Sequence, residues 1–301
     1  MTGQVIDGLG IAAELKAEVA REAKSLEAEG IAGGLATLRI GDDYAARAYE
    51  RRIGKIAAEL GVAWLERRFP ASVSQGEVLT EISRLNANPS VSGVLVLRPV
   101  PPQVCEEDIF TAIAQEKDVE AVHPDNAGLL ALGRPRYVPS TPAAVFHVLD
   151  VWLDTAGEDR TSFYHRSLIV VVGRSNNVGK PVVSLAYDRQ AAVESVDEWA
   201  SRAGQLGRHT RRADVLIVAA GVPGLIRAEH IREGAVVLDV GVNHVASPAG
   251  GGGHLVGDVQ FDAVAPRARA ITPVPGGIGP VTDVWVIRNT LAAARDSASR
   301  R

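Results

Sequence analysis

Short apolar runs that alternate with helix-length amphipathic segments constrain this chain more than any other feature, because strand–helix–strand units around a mostly parallel sheet satisfy that rhythm. In the first half, residues 35–40, 62–69 and 91–97 read as strands, and residues 44–60, 75–86 and 106–114 read as helices. Residues 121–137 are polar and broken by Pro124, Gly128, Gly133 and Pro135, so they read as loop. A helix predicted over 141–153 carries Pro142 in its first turn, where a missing N–H costs nothing, and it suits a connector between lobes. Residues 168–173 form a continuous apolar run, as expected of a central parallel strand buried on both faces. Further strands at 191–196, 215–219, 236–240 and 270–272 would complete a dinucleotide-binding type of sheet. Residues 248–253, ending in four glycines, read as a flexible surface loop. The expected fold class is α/β with two lobes and a cleft between them, the second lobe a Rossmann-like doubly wound parallel sheet. At 301 residues and 46% hydrophobic, the chain has material for two cores.

Charge and cysteine usage narrow the function classes. A net charge of −4, with Lys and Arg dispersed, leaves no basic footprint for nucleic acid. Cys105 is the single cysteine, which excludes an intramolecular disulfide and fits a reducing compartment. Residues 1–13 lack a charged segment followed by an apolar one, and no run of about 18 apolar residues occurs, so a soluble, cytoplasmic protein is expected. The seven histidines show no i, i+4 pairing of a zinc helix, and no metal is expected.

The run Ile271-Thr272-Pro273-Val274-Pro275-Gly276-Gly277-Ile278-Gly279-Pro280-Val281-Thr282 reads as a ligand-facing loop. Prolines lock φ while glycines admit positive φ and close backbone approach, a combination that packing alone rarely requires. An apolar-periodic helix over 283–295 follows, so the loop lies at a helix entry, where unpaired N–H groups favour electron-rich ligands.

Four more segments occur in order: Gly41-Asp42-Asp43 with Tyr49; Val172-Gly173-Arg174-Ser175-Asn176-Asn177-Val178-Gly179-Lys180-Pro181; Asp239-Val240-Gly241-Val242-Asn243; and Gly257-Asp258-Val259. Together with the Gly-Pro run they resemble the methylenetetrahydrofolate dehydrogenase/cyclohydrolase family over nearly the whole chain. The resemblance implies a folate-binding catalytic domain of residues 1–144 plus 281–301 and a dinucleotide-binding domain of residues 145–280. It also implies a tetrahydrofolate derivative as substrate in one-carbon metabolism, NAD or NADP as cofactor, and a homodimer. The strand after Ala191 is the candidate dimer contact.

The loop from Gly173 to Gly179 lies between a predicted strand and helix, where amides and the helix dipole can hold a pyrophosphate. Its glycines are six apart and do not make GxGxxG, so the residues alone fit a plain strand-to-helix turn equally well. By resemblance, cofactor contacts fall on Gly173, Arg174, Ser175, Val178, Gly179, Asp197, Glu198, Gly241, Val242 and Thr282. The planar fork of Arg174 suits a 2′-phosphate. Where the family has Cys-His-Ser, however, this chain has Val196-Asp197-Glu198. An acidic group there accepts from a ribose 2′-OH and repels a 2′-phosphate; like charges ~4 Å apart cost about 4 kcal/mol at an effective dielectric near 20. The sequence leans to NAD. If Asp197 and Glu198 instead cap the next element and face water, Arg174 favours NADP.

The folate lobe departs from the family pattern. The family tyrosine is present as Tyr49, but the lysine four residues on, to which the family assigns proton handling at the one-carbon centre, is Ile53. Lys55 lies about 200° and Arg52 about 100° around the helix from that position, so neither is expected to substitute. Leu97 stands where the family has a glutamine, and the adjacent Arg98 should face the other way. Glu120 and Ala121 replace an aspartate and a glycine. Glu120 can accept paired hydrogen bonds from a pterin N–C–NH2 edge, with Asp118 or a helix-capping role as alternatives. The backbone of Pro275, Gly276 and Gly277 would border the one-carbon region. Hydride transfer needs no general base, whereas hydrolysis of the methenyl product needs proton transfers each worth about 10²–10⁴-fold. The sequence thus reads as a methylenetetrahydrofolate dehydrogenase with cyclohydrolase activity weak or lost. Two other readings stay open: a re-specialised member acting on another substrate, and a non-catalytic folate or nucleotide binder.

Overall fold

The computed structural model describes residues 3–246 and 253–300, so the expected glycine-rich loop, Gly253 apart, lies outside the described residues. The chain divides into two compact units, one of residues up to Ala13 with Thr141–Thr282, the other of Glu14–Ser140 with Asp283 onward. The sequence-based boundaries are 144/145 and 280/281; the largest difference is at the N-terminus. Strand β1 (Gln4–Val5) pairs in parallel with a strand near residue 270, which draws the first residues into the sheet of the second half. Helix α1 (Gly8–Ala28) follows.

The unit containing residues 14–140 is built from β2 (Gly34–Ile40), α2 (Tyr44–Glu59), β3 (Ala63–Phe69), α3 (Gln75–Ala87), β4 (Gly93–Val96), α4 (Glu106–Ala112) and α5 (Pro124–Ala131). Its parallel sheet has the order β3-β2-β4, and all seven residues of the central β2 are buried. Local capping chemistry sets the helix starts. The Asp43 side chain accepts the Ala46 N–H at 2.9 Å to open α2, and Ser74 with Glu77 forms a reciprocal capping box on α3. Helix α5 corrects the loop expected over 121–137. His123 caps it through Nδ1, which accepts the Asp125 N–H at 3.1 Å, and Pro124 occupies the first position. The proline that looks like a breaker in a polar stretch is therefore a helix starter.

Ahead of α5, fully buried Asp118 ties down the chain: its oxygens accept the amides of Val122 at 3.1 Å and His123 at 2.8 Å and the Asn126 side-chain N–H at 2.9 Å. Its acceptor sites are thus spent on structure, and the alternative role at a pterin edge falls away.

The other unit continues with α6 (Ser140–Thr155), α7 (Arg160–Arg166), β5 (Leu168–Val172), α8 (Gly179–Asp188), β6 (Ala192–Val196), α9 (Glu198–Arg202), α10 (Leu206–Thr210), β7 (Val215–Val218), β8 (Val236–Asp239), β9 (Asn243–Ala246), β10 (Gly253–Val256), α11 (Phe261–Val264) and β11 (Ala270–Ile271); α12 (Ile278–Ser299) starts in this unit and from Asp283 onward belongs to the unit of residues 14–140. The six-stranded sheet has the order β1-β11-β8-β7-β5-β6 with every pairing parallel, the Rossmann-like arrangement expected. Val170, Val172, Leu216, Val218, Val237 and Ile271 project from it into one buried cluster. The antiparallel β9–β10 hairpin is an addition that the sequence reading lacks. Helix α12 begins at Ile278, five residues before the expected start, so the end of the Gly-Pro run is helical, with Pro280 in the first turn. Among the described residues no helix is long and apolar enough to cross a membrane.

Replacing Asp118 by alanine leaves two amides and one side-chain N–H without their acceptor, so Asp118→Ala should lower stability by about 3 kcal/mol, read from the urea midpoint.

Candidate active site

Helix α2 buries Ala46, Glu50, Ile53, Gly54 and Ala57 on one face. Glu50 is compensated there by Thr37 Oγ1 at 3.3 Å, Arg39 Nε at 3.0 Å and Arg68 Nε at 3.1 Å, as a buried charge requires. Ile53 is 0% exposed and Leu97, just beyond β4, is 2% exposed, so both apolar side chains are closed to solvent. Lys55 points outward with Glu59 3.9 Å away, as its helical offset predicts. Arg52 makes contacts that the sequence reading did not weigh. Its guanidinium carbon lies 5.4 Å from the centroid of the Tyr49 ring, and its Nε donates to Asp283 Oδ2 at 3.0 Å. The offset from Ile53 gave no measure of its distance from Tyr49; residues three apart share a helix face. Burial holds the half-buried Tyr49 phenol well above its ordinary pKa, with Glu120 and Asp283 adding to the effect and Arg52 opposing it. These four side chains therefore share one electrostatic neighbourhood.

Glu120 Oε2 accepts the Ser140 hydroxyl at 2.9 Å and the Ser140 amide at 3.3 Å, while Oε1 is buried and has no hydrogen-bond partner among the described residues. Burial pushes this carboxyl up to about 7, against the Ser140 bonds and the field of Arg98, with Asp118 adding a further upward push. Arg98 itself is engaged elsewhere: Nε donates to Glu106 at 3.1 Å and the guanidinium carbon lies 4.8 Å from the Phe110 centroid. Ala121 adopts φ +50°, so an alanine occupies a left-handed conformation that a glycine would accept without strain.

In the other unit the chain leaves β5 through Gly173 at φ +115°, where a Cβ would run into the Ala219 carbonyl oxygen, and α8 starts with Gly179 packed against the Gly173 carbonyl. The amides of Val178 and Gly179 each reach the Ser175 hydroxyl at 3.3 Å, long bonds that a phosphate oxygen could replace, so this helix entry fits a diphosphate. Arg174 folds onto the end of β6, donating to Ser195 Oγ at 3.1 Å, to the Ser195 carbonyl at 2.6 Å and to Asp197 Oδ2 at 2.8 Å. Asp197 also caps α9 by accepting the Trp199 and Ala200 amides at 3.1 and 3.4 Å. Glu198 is exposed and paired with Arg202 at 3.0 Å. Asp197 thus takes the capping role that the sequence reading weighed, and it also pairs with Arg174, a contact that reading did not consider.

Gly241 is buried so tightly against Asp258 that a Cβ would overlap its carboxylate. Fully buried Asp258 accepts the amides of Ala220, Gly221 and Val222 at 2.7, 2.8 and 2.9 Å and the Asn243 side chain at 2.8 Å. Asp239 accepts the amides of Gly241, Asp258 and Val259 at 3.0, 3.1 and 2.9 Å, and burial pushes its carboxyl up to about 7 against those bonds. Val242 is left exposed beside them. Pro275 follows a cis peptide bond, Gly276 has φ +103°, and Gly277 is buried. The Thr282 hydroxyl is buried and spent on the Ile278 carbonyl at 3.2 Å.

Residues 6–120 match the catalytic-domain model of tetrahydrofolate dehydrogenase/cyclohydrolase, and residues 139–298 match the model of its NAD(P)-binding domain. The chain belongs to the tetrahydrofolate dehydrogenase/cyclohydrolase family. A bifunctional protein FolD of Rubrobacter xylanophilus is 57% identical over all of this chain and 95% of its own length. The FolD of Geobacillus thermodenitrificans is 43% identical, with both chains covered in full. Among solved structures, the Trypanosoma brucei FolD complexed with NADP and an inhibitor is 34% identical with a TM-score of 0.91, covering 99% of each chain.

Within this family member, sequence reasoning missed Arg52, Asp283 and Ser140. The i, i+3 spacing of Tyr49 and Arg52 was the available signal for Arg52; nothing local marks Asp283 or Ser140, whose partners are 231 and 20 residues away. The raised Glu120 carboxyl has a definite consequence. Its folded value, about 7, lies above the ordinary 4.5, so the native state retains a proton that the unfolded chain has lost. Glu120 therefore withdraws stability as pH rises from 4.5 to 7 and adds no further slope above that window. Glu120→Gln should gain on wild type by about 3 kcal/mol between pH 4 and pH 8 in urea unfolding, and a difference that does not vary with pH would count against this assignment.

Proposed function

We propose that the protein oxidises 5,10-methylenetetrahydrofolate to 5,10-methenyltetrahydrofolate with a nicotinamide cofactor and hydrolyses the methenyl product weakly or not at all. Membership of a family whose relatives are bifunctional FolD proteins supports the first half. The second half is carried by Ile53 and Leu97, both buried and apolar where the family pattern places groups that handle protons and water. A bound nicotinamide would accept hydride from the one-carbon bridge. Tyr49 would line the folate site, and Glu120, with Oε2 fixed by Ser140 and Oε1 unpartnered, would take the donor edge of the pterin. The Pro275–Gly276–Gly277 backbone would border the one-carbon region, and Gly173, Ser175, Val178 and Gly179 would hold the cofactor phosphates, with Gly241, Val242 and Thr282 lining the remainder. The protein would act as a homodimer, and β6 at the edge of the sheet is the strand open to a second copy.

NAD is favoured over NADP because the guanidinium that would take a 2′-phosphate is already paired with Asp197. The deciding experiment is an absorbance assay with 5,10-methylenetetrahydrofolate and either cofactor, the folate product being identified by chromatography. Reduced cofactor with accumulating methenyl product is the expected result; formyl product would refute the hydrolytic deficit, and no reduction with either cofactor would favour a different substrate. Asp197→Ser should raise the NADP:NAD ratio of kcat/KM by about tenfold, the effect of roughly 1.4 kcal/mol of relieved repulsion.

A further inference from the structure

We infer that Arg52 and Asp283 act together as positioning residues, holding the Tyr49 ring so that the face turned away from Arg52 receives an electron-rich aromatic amine. The inference rests on the folate reading, since the aminobenzoyl group of a folate is such a ring.

Asp283 lies early in α12 with its side chain 7% exposed, and Arg52 is its one ion-pair partner among the described residues. A buried carboxylate with a single partner is a poor source of stability, because an apolar side chain would fill the same space without the cost of removing a charge from water. Arg52 is 54% exposed and is not needed to fill the core. What the pair does achieve is geometric. Two fixed points, the Asp283 carboxylate and the Tyr49 face 5.4 Å from the guanidinium carbon, determine where the cation sits. Arg52 takes one face of the ring, so a flat ligand stacking on Tyr49 would use the opposite one.

The covering cation also sets the chemistry of that opposite face. A guanidinium draws π density toward itself and leaves the opposite side less electron-rich, which suits stacking with a donor-substituted arene such as an N-alkyl aminobenzoyl group. Lys55 is turned to Glu59, and Ile53 carries no charge, so no other α2 side chain around Tyr49 supplies this effect. An arginine keeps its proton at any working pH, so the clamp does not switch off as a lysine would. A ring held in place before the ligand arrives also avoids the cost of ordering it on binding.

The test is titration of the purified full-length protein with tetrahydrofolate, alongside urea unfolding of each variant. Arg52→Ala and Asp283→Asn should each weaken tetrahydrofolate binding by about tenfold, and the double variant should be no worse than the poorer single one, because they act as one unit. NAD binding should not change. The charge-exchanged Arg52→Asp/Asp283→Arg variant separates the roles: it should recover the stability lost by the single variants but not the binding, because the cation no longer covers the ring. Recovery of both, or unchanged binding in folded single variants, overturns the inference and leaves the pair a plain staple. Wild type that binds no tetrahydrofolate overturns the folate reading itself, and the inference with it.

Discussion

A chain leaving a parallel strand exposes amide N–H groups that no neighbouring strand can receive, and buried carboxylates meet that need in both units. Asp118 takes two amides and a side-chain N–H ahead of α5, Asp258 takes three consecutive amides after β7, and Asp239 takes three more around Gly241 and Gly257. Each such acceptor converts a flexible exit into a single backbone path, because a buried amide without an acceptor costs about 1–3 kcal/mol. The candidate ligand-facing groups lie within a few residues of these anchors. Glu120 stands two positions after Asp118, and Gly241 and Val242 follow directly on Asp239.

The same logic separates carboxylates that build from carboxyls that can act. Asp118 and Asp258 are surrounded by donors, which spend their lone pairs on structure. Glu120 receives donors on one oxygen alone and keeps the other buried, so its proton is held to about neutral pH. Together with Tyr49, Arg52 and Asp283 it forms a group with one permanent cation and one member that changes charge near pH 7. A lysine in place of Ile53 would have supplied a second titrating group on the same helix face; without it, the proton inventory of this neighbourhood depends mainly on Glu120.

Strands and their order of burial were legible in the sequence because continuous apolar runs such as 168–172 have few other uses. The misreadings came from proline and glycine, whose meaning depends on position. Pro124 and Pro280 start helices where they looked like loop formers, and the glycine-rich context hid the first turn of α12. Tyr49, Ile53, Leu97 and Glu120 were singled out from the motifs, and the full burial of Ile53 and Leu97 and partial burial of Tyr49 and Glu120 follow from where α2, β4 and the Asp118 turn put them. Arg52–Asp283 and Glu120–Ser140 were beyond a sequence reading, since neither partner's neighbours in the chain indicate which distant residue it will meet.

Asp197 illustrates why a motif position alone does not settle specificity. A carboxylate at the end of the second strand of this sheet half could repel a phosphate, cap the following helix or pair with the preceding loop, and here one oxygen accepts the α9 amides while the other accepts Arg174. Capping fixes where the carboxylate stands, and its position in turn draws the still exposed Arg174 onto β6, where the Ser195 carbonyl and hydroxyl complete the guanidinium's contacts. The arginine that would favour a 2′-phosphate and the aspartate that would oppose it are thus parts of one arrangement, so on the proposed reading a preference between the two cofactors would turn on their mutual contact rather than on either residue taken alone.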